Sequence, residues 1–200
     1  MSGALDPTLL TKAKALKDSK LFTNPRTSEP ELFEKQNIFL VLAGIKPLTE
    51  ILSYHEELTK DGLGKIVADP PKEVMAFVQS LGLVCDLSLS DEDHTLCIIA
   101  SGKDRISEYL QSDSRSFIKI GSLFGFPRTA AEAYEQAFSD DGDRNLCLSF
   151  EEQDKIEQDA HLFTSGAGFF FSRAHWHEEL ELVKQWQDLL EAYGLGSERY

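Results

Sequence analysis

Cysteine is scarce in this sequence, and no long apolar run is present. The three cysteines are Cys85, Cys97 and Cys147, and none belongs to a Cys-x-x-Cys pair. An odd count without paired spacing argues against a disulfide framework and favours a reducing compartment. The longest apolar run, residues 38–45, is too short to span a bilayer. The N-terminus lacks a secretory signal pattern, so we expect a cytoplasmic protein.

Basic residues are also in short supply. The chain carries 20 Lys and Arg against 34 Asp and Glu, which gives a formal net charge of −14. This excess disfavours nucleic acid and anionic membrane surfaces as partners, because like charges repel. A basic protein partner or self-association remains compatible with it.

The basic residues that do occur are concentrated near the start of the chain. Residues 1–30 hold five Lys and Arg and three Asp and Glu. We predict a mildly basic arm over residues 1–28, with a helix at 8–18, and a single domain over 29–200. The arm is expected to dock on its own body or on a neighbouring subunit; a frayed terminus is the alternative.

Segment 69–100 has the clearest periodicity in the sequence. Apolar residues recur at helical spacing between Pro70 and Gly82, which predicts an amphipathic helix. Residues 83–90 then alternate between apolar and polar, and residues 94–101 return after an acidic turn, which predicts a β-hairpin with one buried face. Cys85 and Cys97 are expected in the core. The fold class is therefore α+β, with helices packed around a small antiparallel sheet that contains the 83–100 hairpin.

Further helices are predicted on both sides of the hairpin. Their approximate ranges are 30–43, 48–60, 101–110, 117–125, 130–138, 150–159 and 172–193. Three of them should begin with a capping box, in which a Ser or Thr and a Glu three residues later satisfy each other's backbone N–H groups. These pairs are Ser28 with Glu31, Thr129 with Glu132 and Ser149 with Glu152. Gly121 and Gly125, four residues apart, should let another backbone come close.

The stretch FFFSRAHWHEELELVKQW, residues 169–186, is the main candidate for chemistry. At 100° per residue, His175 and Glu179 fall on the apolar side of the last helix, whereas His177 points to solvent. His161, Asp159 or His94 could supply a further ligand for a divalent metal, or His175 and Glu179 could act in acid–base catalysis. The alternative is that His175 and Glu179 lie on an exposed first turn and pair with each other or with Arg173.

A glycine-rich turn precedes that stretch. Gly166 and Gly168 stand in FTSGAGFFFS, and such turns before helices can bind anions through backbone N–H groups. No Walker lysine or dinucleotide fingerprint accompanies them. We keep Gly166 and Gly168 as candidate ligand-binding residues, together with Gly121, Gly125 and Phe126.

Residues 120–138 resemble a family of archaeal and bacterial proteins with a Gly-x-Leu-(Leu/Phe)-Gly-(Tyr/Phe)-Pro-x-Cys-Cys motif. The matching residues are Gly121, Leu123, Phe124, Gly125, Phe126 and Pro127. Thr129, Ala130 and Ala131 stand where that family has its paired cysteines. In the family a histidine- and cysteine-bearing segment precedes a terminal helix, and residues 161–176 have a similar layout without cysteines. If those cysteines bind metal, their replacement here argues against the same role.

Two functions follow from these observations. The first is a non-catalytic interaction or regulatory protein whose acidic surface faces a basic partner, without a buried convergent polar cluster. The second is a metal- or small-ligand-binding enzyme that uses His161, His175 and Glu179. Its pocket would lie between the Gly121–Pro127 turn and the last helix.

Overall fold

The computed structural model describes residues 5–21, 32–53, 55–58, 64–67, 72–90, 95–113, 116–162 and 168–196. Contacts within the chain group it into two compact units, Met1–Leu110 and Gln111–Tyr200. The predicted division at residue 28 stays a prediction. Among the described residues, no helix is long and apolar enough to cross a membrane.

The N-terminal unit is built on a three-stranded antiparallel sheet. The strands are β1 (Leu48–Ser53), β4 (Val84–Ser90) and β5 (Thr95–Ala100), in the order β1-β5-β4. A separate pair joins β2 (His55–Leu58) to β3 (Gly64–Val67). The helices of this unit are α1 (Pro7–Asp18), α2 (Leu32–Leu42), α3 (Lys72–Ser80) and α4 (Lys103–Leu110). The predicted α+β class and the 83–100 hairpin are confirmed.

Strand β5 lies at the centre of the sheet, and residues 97–100 are each fully buried. Successive residues of a strand point to opposite faces, so both faces of β5 are covered. The prediction of one buried face was therefore wrong for this strand. Cys97 is in the core as predicted, whereas Cys85 is half-buried. Helix α3 ends two residues before Gly82, whose φ of +86° is a left-handed conformation that favours glycine.

The predicted helix at 48–60 was wrong. Residues 48–53 form β1, which pairs with β5 from Leu48 opposite Ala100 to Ser53 opposite Thr95. Residues 55–58 form β2. The segment contains leucine and glutamate, which favour helices. Pairing with a strand almost fifty residues away overrides that local preference.

The first helix packs on the second. Ala13 and Leu16 of α1 are fully buried, and α1 contacts α2. Lys35 donates from Nζ to the carbonyl oxygens of Lys17 and Ser19, at 3.0 and 2.6 Å, and thereby satisfies the end of α1. The predicted helix at 8–18 is confirmed. Phe33 of α2 is 44% exposed.

Two polar contacts inside the N-terminal unit join its elements. Lys46 is 6% exposed and donates to Asn37 Oδ1 at 2.6 Å. Burial lowers the pKa of Lys46 to about 8. Tyr109 of α4 donates a hydrogen bond to Glu50 of β1, and burial raises the pKa of that carboxyl. These contacts tie the helices to the sheet.

The C-terminal unit is helical. Its helices are α5 (Phe117–Leu123), α6 (Arg128–Ala137), α7 (Phe150–Asp159) and α8 (Trp176–Ala192), with a short 3-10 helix at Arg144–Leu146. Residues 146–148 run alongside residues 171–173, joined by Leu148 N–H to the Phe171 carbonyl at 2.9 Å and Arg173 N–H to the Leu146 carbonyl at 2.8 Å. One core cluster of this unit comprises Leu148, Phe171, Leu180 and Val183.

Candidate functional site

A cavity of about 500 Å³ lies within the C-terminal unit. Its walls come from α5, α6, α7 and the segment 168–170. The lining residues that the structure describes are Phe117, Ile120, Gly121, Phe126, Ala130, Ala131, Tyr134, Phe150, Gln153, Asp154, Glu157, Gly168, Phe169 and Phe170. We call this cavity the aromatic pocket, because six of these residues carry aromatic rings.

The rings of the aromatic pocket contact one another in two groups, which together we call the ring wall. Tyr134 meets Phe117 edge-on at 4.8 Å between ring centroids and stacks on Phe170 at 5.8 Å. Phe150 meets the Phe170 ring edge-on at 4.8 Å. On the other side, Phe126 packs against Phe169 at 5.2 Å. An occupant of the pocket would therefore contact aromatic rings.

Close packing of α5 on α6 shapes the floor. Gly121 is buried, and a Cβ added to it would lie 3.1 Å from the Ala131 Cβ and 3.4 Å from the Phe126 ring. A larger residue at 121 would therefore push α6 or Phe126 away. The predicted close approach is confirmed at Gly121, and at Gly125 it stays a prediction.

Gln153 connects α7 to the segment that carries Phe169 and Phe170. Its Nε2 donates to the Phe169 carbonyl at 2.9 Å and to Glu157 Oε1 at 2.9 Å. Its Oε1 accepts from the Phe171 N–H at 3.0 Å. A side chain bonded to the backbone at two points holds this wall of the pocket in place.

A second polar contact is fully buried. Glu179 of α8 is 2% exposed, and its carboxylate accepts from Thr129 Oγ1 at 2.6 Å, Ser172 Oγ at 2.7 Å and Ser172 N–H at 2.7 Å. Thr129 is in the first turn of α6, and Ser172 follows the segment with Phe169 and Phe170. The Glu179 carboxylate therefore joins the elements that bear two pocket walls. Burial raises the pKa of the nearby Cys147 thiol, and the charge of Glu179 raises it further.

An ion pair on the surface fixes the start of α7. Arg173 Nη1 and Nη2 donate to the two carboxylate oxygens of Glu152 at 2.8 and 2.7 Å. The hydrogen bonds from Arg173 and from the backbone of Ser149 lower the pKa of Glu152 to about 2. Ser149 and Glu152 also form the predicted capping box, which is confirmed.

The capping box predicted at Thr129 and Glu132 was wrong, and the one predicted at Ser28 and Glu31 lies outside the described residues. Helix α6 begins after Pro127, and no side chain of the described residues caps it. Thr129 donates to Glu179 instead, and Glu132 accepts from Arg128 at 2.6 Å. The Thr129 hydroxyl therefore bonds Glu179, a tertiary partner, and not the backbone at the start of α6 as the local pattern predicted.

The candidate ligand-binding residues have different positions. Gly121, Phe126 and Gly168 line the aromatic pocket, whereas Gly125 is not among its described lining residues. Gly125 ends α5 with a φ of +75°. Gly166 lies outside the described residues. Helix α7 lines the pocket together with α5 and α6. The last helix, α8, was predicted to line it, but no residue of α8 is among the described lining residues.

The histidine candidates do not converge with Glu179 in the described structure. His161 and His175 are both exposed, and His175 precedes the first turn of α8. No hydrogen bond among the described residues joins His161, His175 and Glu179 side chains. The alternative of an exposed first turn was wrong for Glu179, which is buried and bonded to Thr129 and Ser172. In the ranges that the structure describes, no group of three His, Cys, Asp or Glu side chains could hold a metal ion.

Sequence reasoning missed the partners of Glu179 and the role of Gln153. The expectation that an interaction protein would lack a buried convergent polar cluster was wrong. The buried Glu179 carboxylate accepts from the hydroxyls of Thr129 and Ser172. One signal was available for the pocket. Phe150, Gln153 and Glu157 recur at helical spacing along α7, which marks them as one face of that helix.

No family model, curated protein or solved structure matches this chain. The resemblance at residues 120–138 therefore stays a prediction.

Proposed function

We propose that the C-terminal unit is a non-catalytic binding module that accepts a positively charged segment of a protein partner. One side chain of that segment would enter the aromatic pocket. The supporting observation is an open, ring-lined cavity of about 500 Å³ beside which Phe150 is 77% exposed. A ring left in water gains favourable free energy when a partner covers it.

The charge of the chain supports a basic partner. Helix α7 carries five acidic residues and one lysine, within a chain of net charge −14. Two of the acidic residues, Asp154 and Glu157, line the pocket. Complementary charge speeds association and selects against acidic partners.

The composition of the pocket favours binding over catalysis. Its described lining residues include no histidine, cysteine, serine or lysine. Gln153 is engaged at both ends of its amide by the backbone contacts given above. The enzyme alternative rests on His161, His175 and Glu179, and none of these three is among the described lining residues.

Fluorescence anisotropy with labelled nine-residue peptides tests the proposal. Each peptide has four lysines on each side of a central residue, which is Gly, Phe or Arg. A parallel set carries glutamates in place of the lysines. We expect the lysine peptides to bind, and one of the larger central residues to bind more tightly than glycine. The glutamate peptides should not bind.

A pair of exposed phenylalanines supplies the control. Phe150→Ser should weaken binding by about tenfold, because the ring no longer covers the occupant. Phe33→Ser removes an exposed ring from the N-terminal unit and should leave binding unchanged. Equal affinity for all peptides, or for wild type and Phe150→Ser, would contradict the proposal.

A cytoplasmic location is part of the same proposal. Cys85, Cys97 and Cys147 are free thiols, two of them buried, which suits a reducing compartment. Fractionation of cells that express the full protein would test this location. Recovery in a secreted or membrane fraction would contradict it.

A further inference from the structure

We infer that the side chain selected by the aromatic pocket is an arginine. Its guanidinium would stack on the ring wall and pair with the carboxylates of Asp154 and Glu157. This inference rests on the proposed function and names the chemistry that its pocket recognises. Three features support it: the aromatic rings of the pocket, an arginine that the protein places on a neighbouring ring, and the charge of the lining.

The Phe150 ring, which is 77% exposed, is open to a cation at the pocket. Tyr134 and Phe170 are nearly parallel, with 23° between their planes, while Phe150 stands at 78° to Phe170. The face of an aromatic ring is negative and attracts cations within about 6 Å. The aliphatic stem of a long side chain can pack on the same rings.

The protein already places a guanidinium on a ring next to the pocket, although that ring is not among the described lining residues. The Arg144 guanidinium carbon lies 4.8 Å from the centroid of the Phe138 ring. Phe138 in turn stacks on Tyr134 at 4.4 Å, with 27° between the planes. The Tyr134 ring therefore lies between a ring that carries an internal arginine and the Phe170 ring of the pocket.

The charged groups of the lining are all acidic. Asp154 and Glu157 are three residues apart on α7 and so lie on one face of that helix. No lysine, arginine or histidine is among the described lining residues. An incoming cation therefore meets carboxylates without competition from a basic group of the lining. Arginine suits this site better than lysine, because its planar head stacks on rings and bonds carboxylates at two points.

The test compares the central-arginine peptide with one that carries citrulline, a neutral side chain of nearly the same shape. We expect arginine to bind about tenfold more tightly than citrulline. Asp154→Asn and Glu157→Gln should each remove much of that preference, because each removes a negative charge. Each amide retains an oxygen that can accept from the neighbouring glutamine, which is Gln158 for Asp154 and Gln153 for Glu157. Asp159→Asn is the matched control, because Asp159 is exposed on the same helix and is not among the described lining residues. It should change the preference by less than about twofold.

The outcomes separate this inference from the proposed function. Citrulline or phenylalanine binding as tightly as arginine would overturn the arginine assignment and leave the binding module intact. Equal binding of all central residues, glycine included, would overturn the proposed function. Free arginine that binds as tightly as the peptide would overturn the protein segment as occupant. Loss of the preference in Asp159→Asn equal to that in Asp154→Asn would assign it to general charge and not to the pocket.

Discussion

The N-terminal unit fills its interior mainly with aliphatic side chains, whereas the C-terminal unit surrounds a cavity with aromatic rings. Of the twenty Phe, Tyr and Trp residues, six fall in 1–110 and fourteen in 111–200. The sheet of the first unit buries Ile98 and Ile99 completely. In the second unit Phe150 remains exposed beside the aromatic pocket.

On the proposed function, this difference separates a scaffold from a recognition surface. Branched aliphatic residues suit the pleated sheet and pack without polar atoms. Rings are large and rigid, so a partner can bury much area against them at a small cost in side-chain entropy. Accordingly, the candidate site lies in the unit with the excess of rings.

The largest expected effect on stability comes from removing a buried ring from the core of the C-terminal unit. Phe171 is fully buried, and Phe171→Ala should lower the free energy of unfolding by about 3–5 kcal/mol, because it removes buried area and leaves a cavity. Trp176 and Trp186 are the tryptophans of the chain, so their fluorescence during urea unfolding follows this unit. Ile99→Ala, in the N-terminal unit, should leave that tryptophan transition in place. An equal shift in both variants would show that the units unfold together.

A smaller effect, in the N-terminal unit, depends on pH. The pKa of Lys46 is about 8 in the folded protein and 10.5 as its ordinary value. Between these values the unfolded chain binds a proton that the folded chain does not, so the free energy of unfolding rises with pH across this window. The full rise is about 3 kcal/mol. Below pH 8 both states hold the proton, and the cost of burying the charge remains in full.

Urea unfolding followed by circular dichroism from pH 7 to 10.5 measures this rise. It should be missing in Lys46→Met, so the difference between the two proteins isolates the lysine from other groups that titrate in the range. Parallel profiles for the two proteins would contradict the assignment.

The smallest of these effects is expected at the buried carboxylate of the C-terminal unit. Thr129→Val removes one donor to Glu179 and should cost about 1.5–3 kcal/mol, the usual range for a hydrogen bond to a charged group. Ser139→Ala also removes a hydroxyl from this unit, but that hydroxyl is exposed, and its loss should cost less than about 0.5 kcal/mol. Tryptophan fluorescence reports on both variants. Similar costs for the two would argue that the Glu179 contact contributes little.

Local sequence patterns predicted the elements whose signals lie within a few residues. The i, i+3, i+4 spacing before Gly82 predicted α3, the alternation after it predicted the hairpin, and Ser149 with Glu152 predicted the start of α7. Each depends on backbone geometry and side-chain period alone. Such patterns also placed Glu179 on the apolar side of the last helix, which is where it lies.

Tertiary structure decided the features that depend on distant partners. Residues 48–53 became a strand because β5 offered unpaired backbone groups to them. The Thr129 hydroxyl donates to Glu179, fifty residues away in the sequence, and does not cap its own helix. The aromatic pocket likewise joins α5, α6, α7 and residues 168–170, elements whose association no local period specifies. The sequence by itself therefore determined the elements that local geometry stabilises and the acidic charge of the chain. Folding alone determined which side chains meet, because long-range contacts form only where the packed elements bring them together.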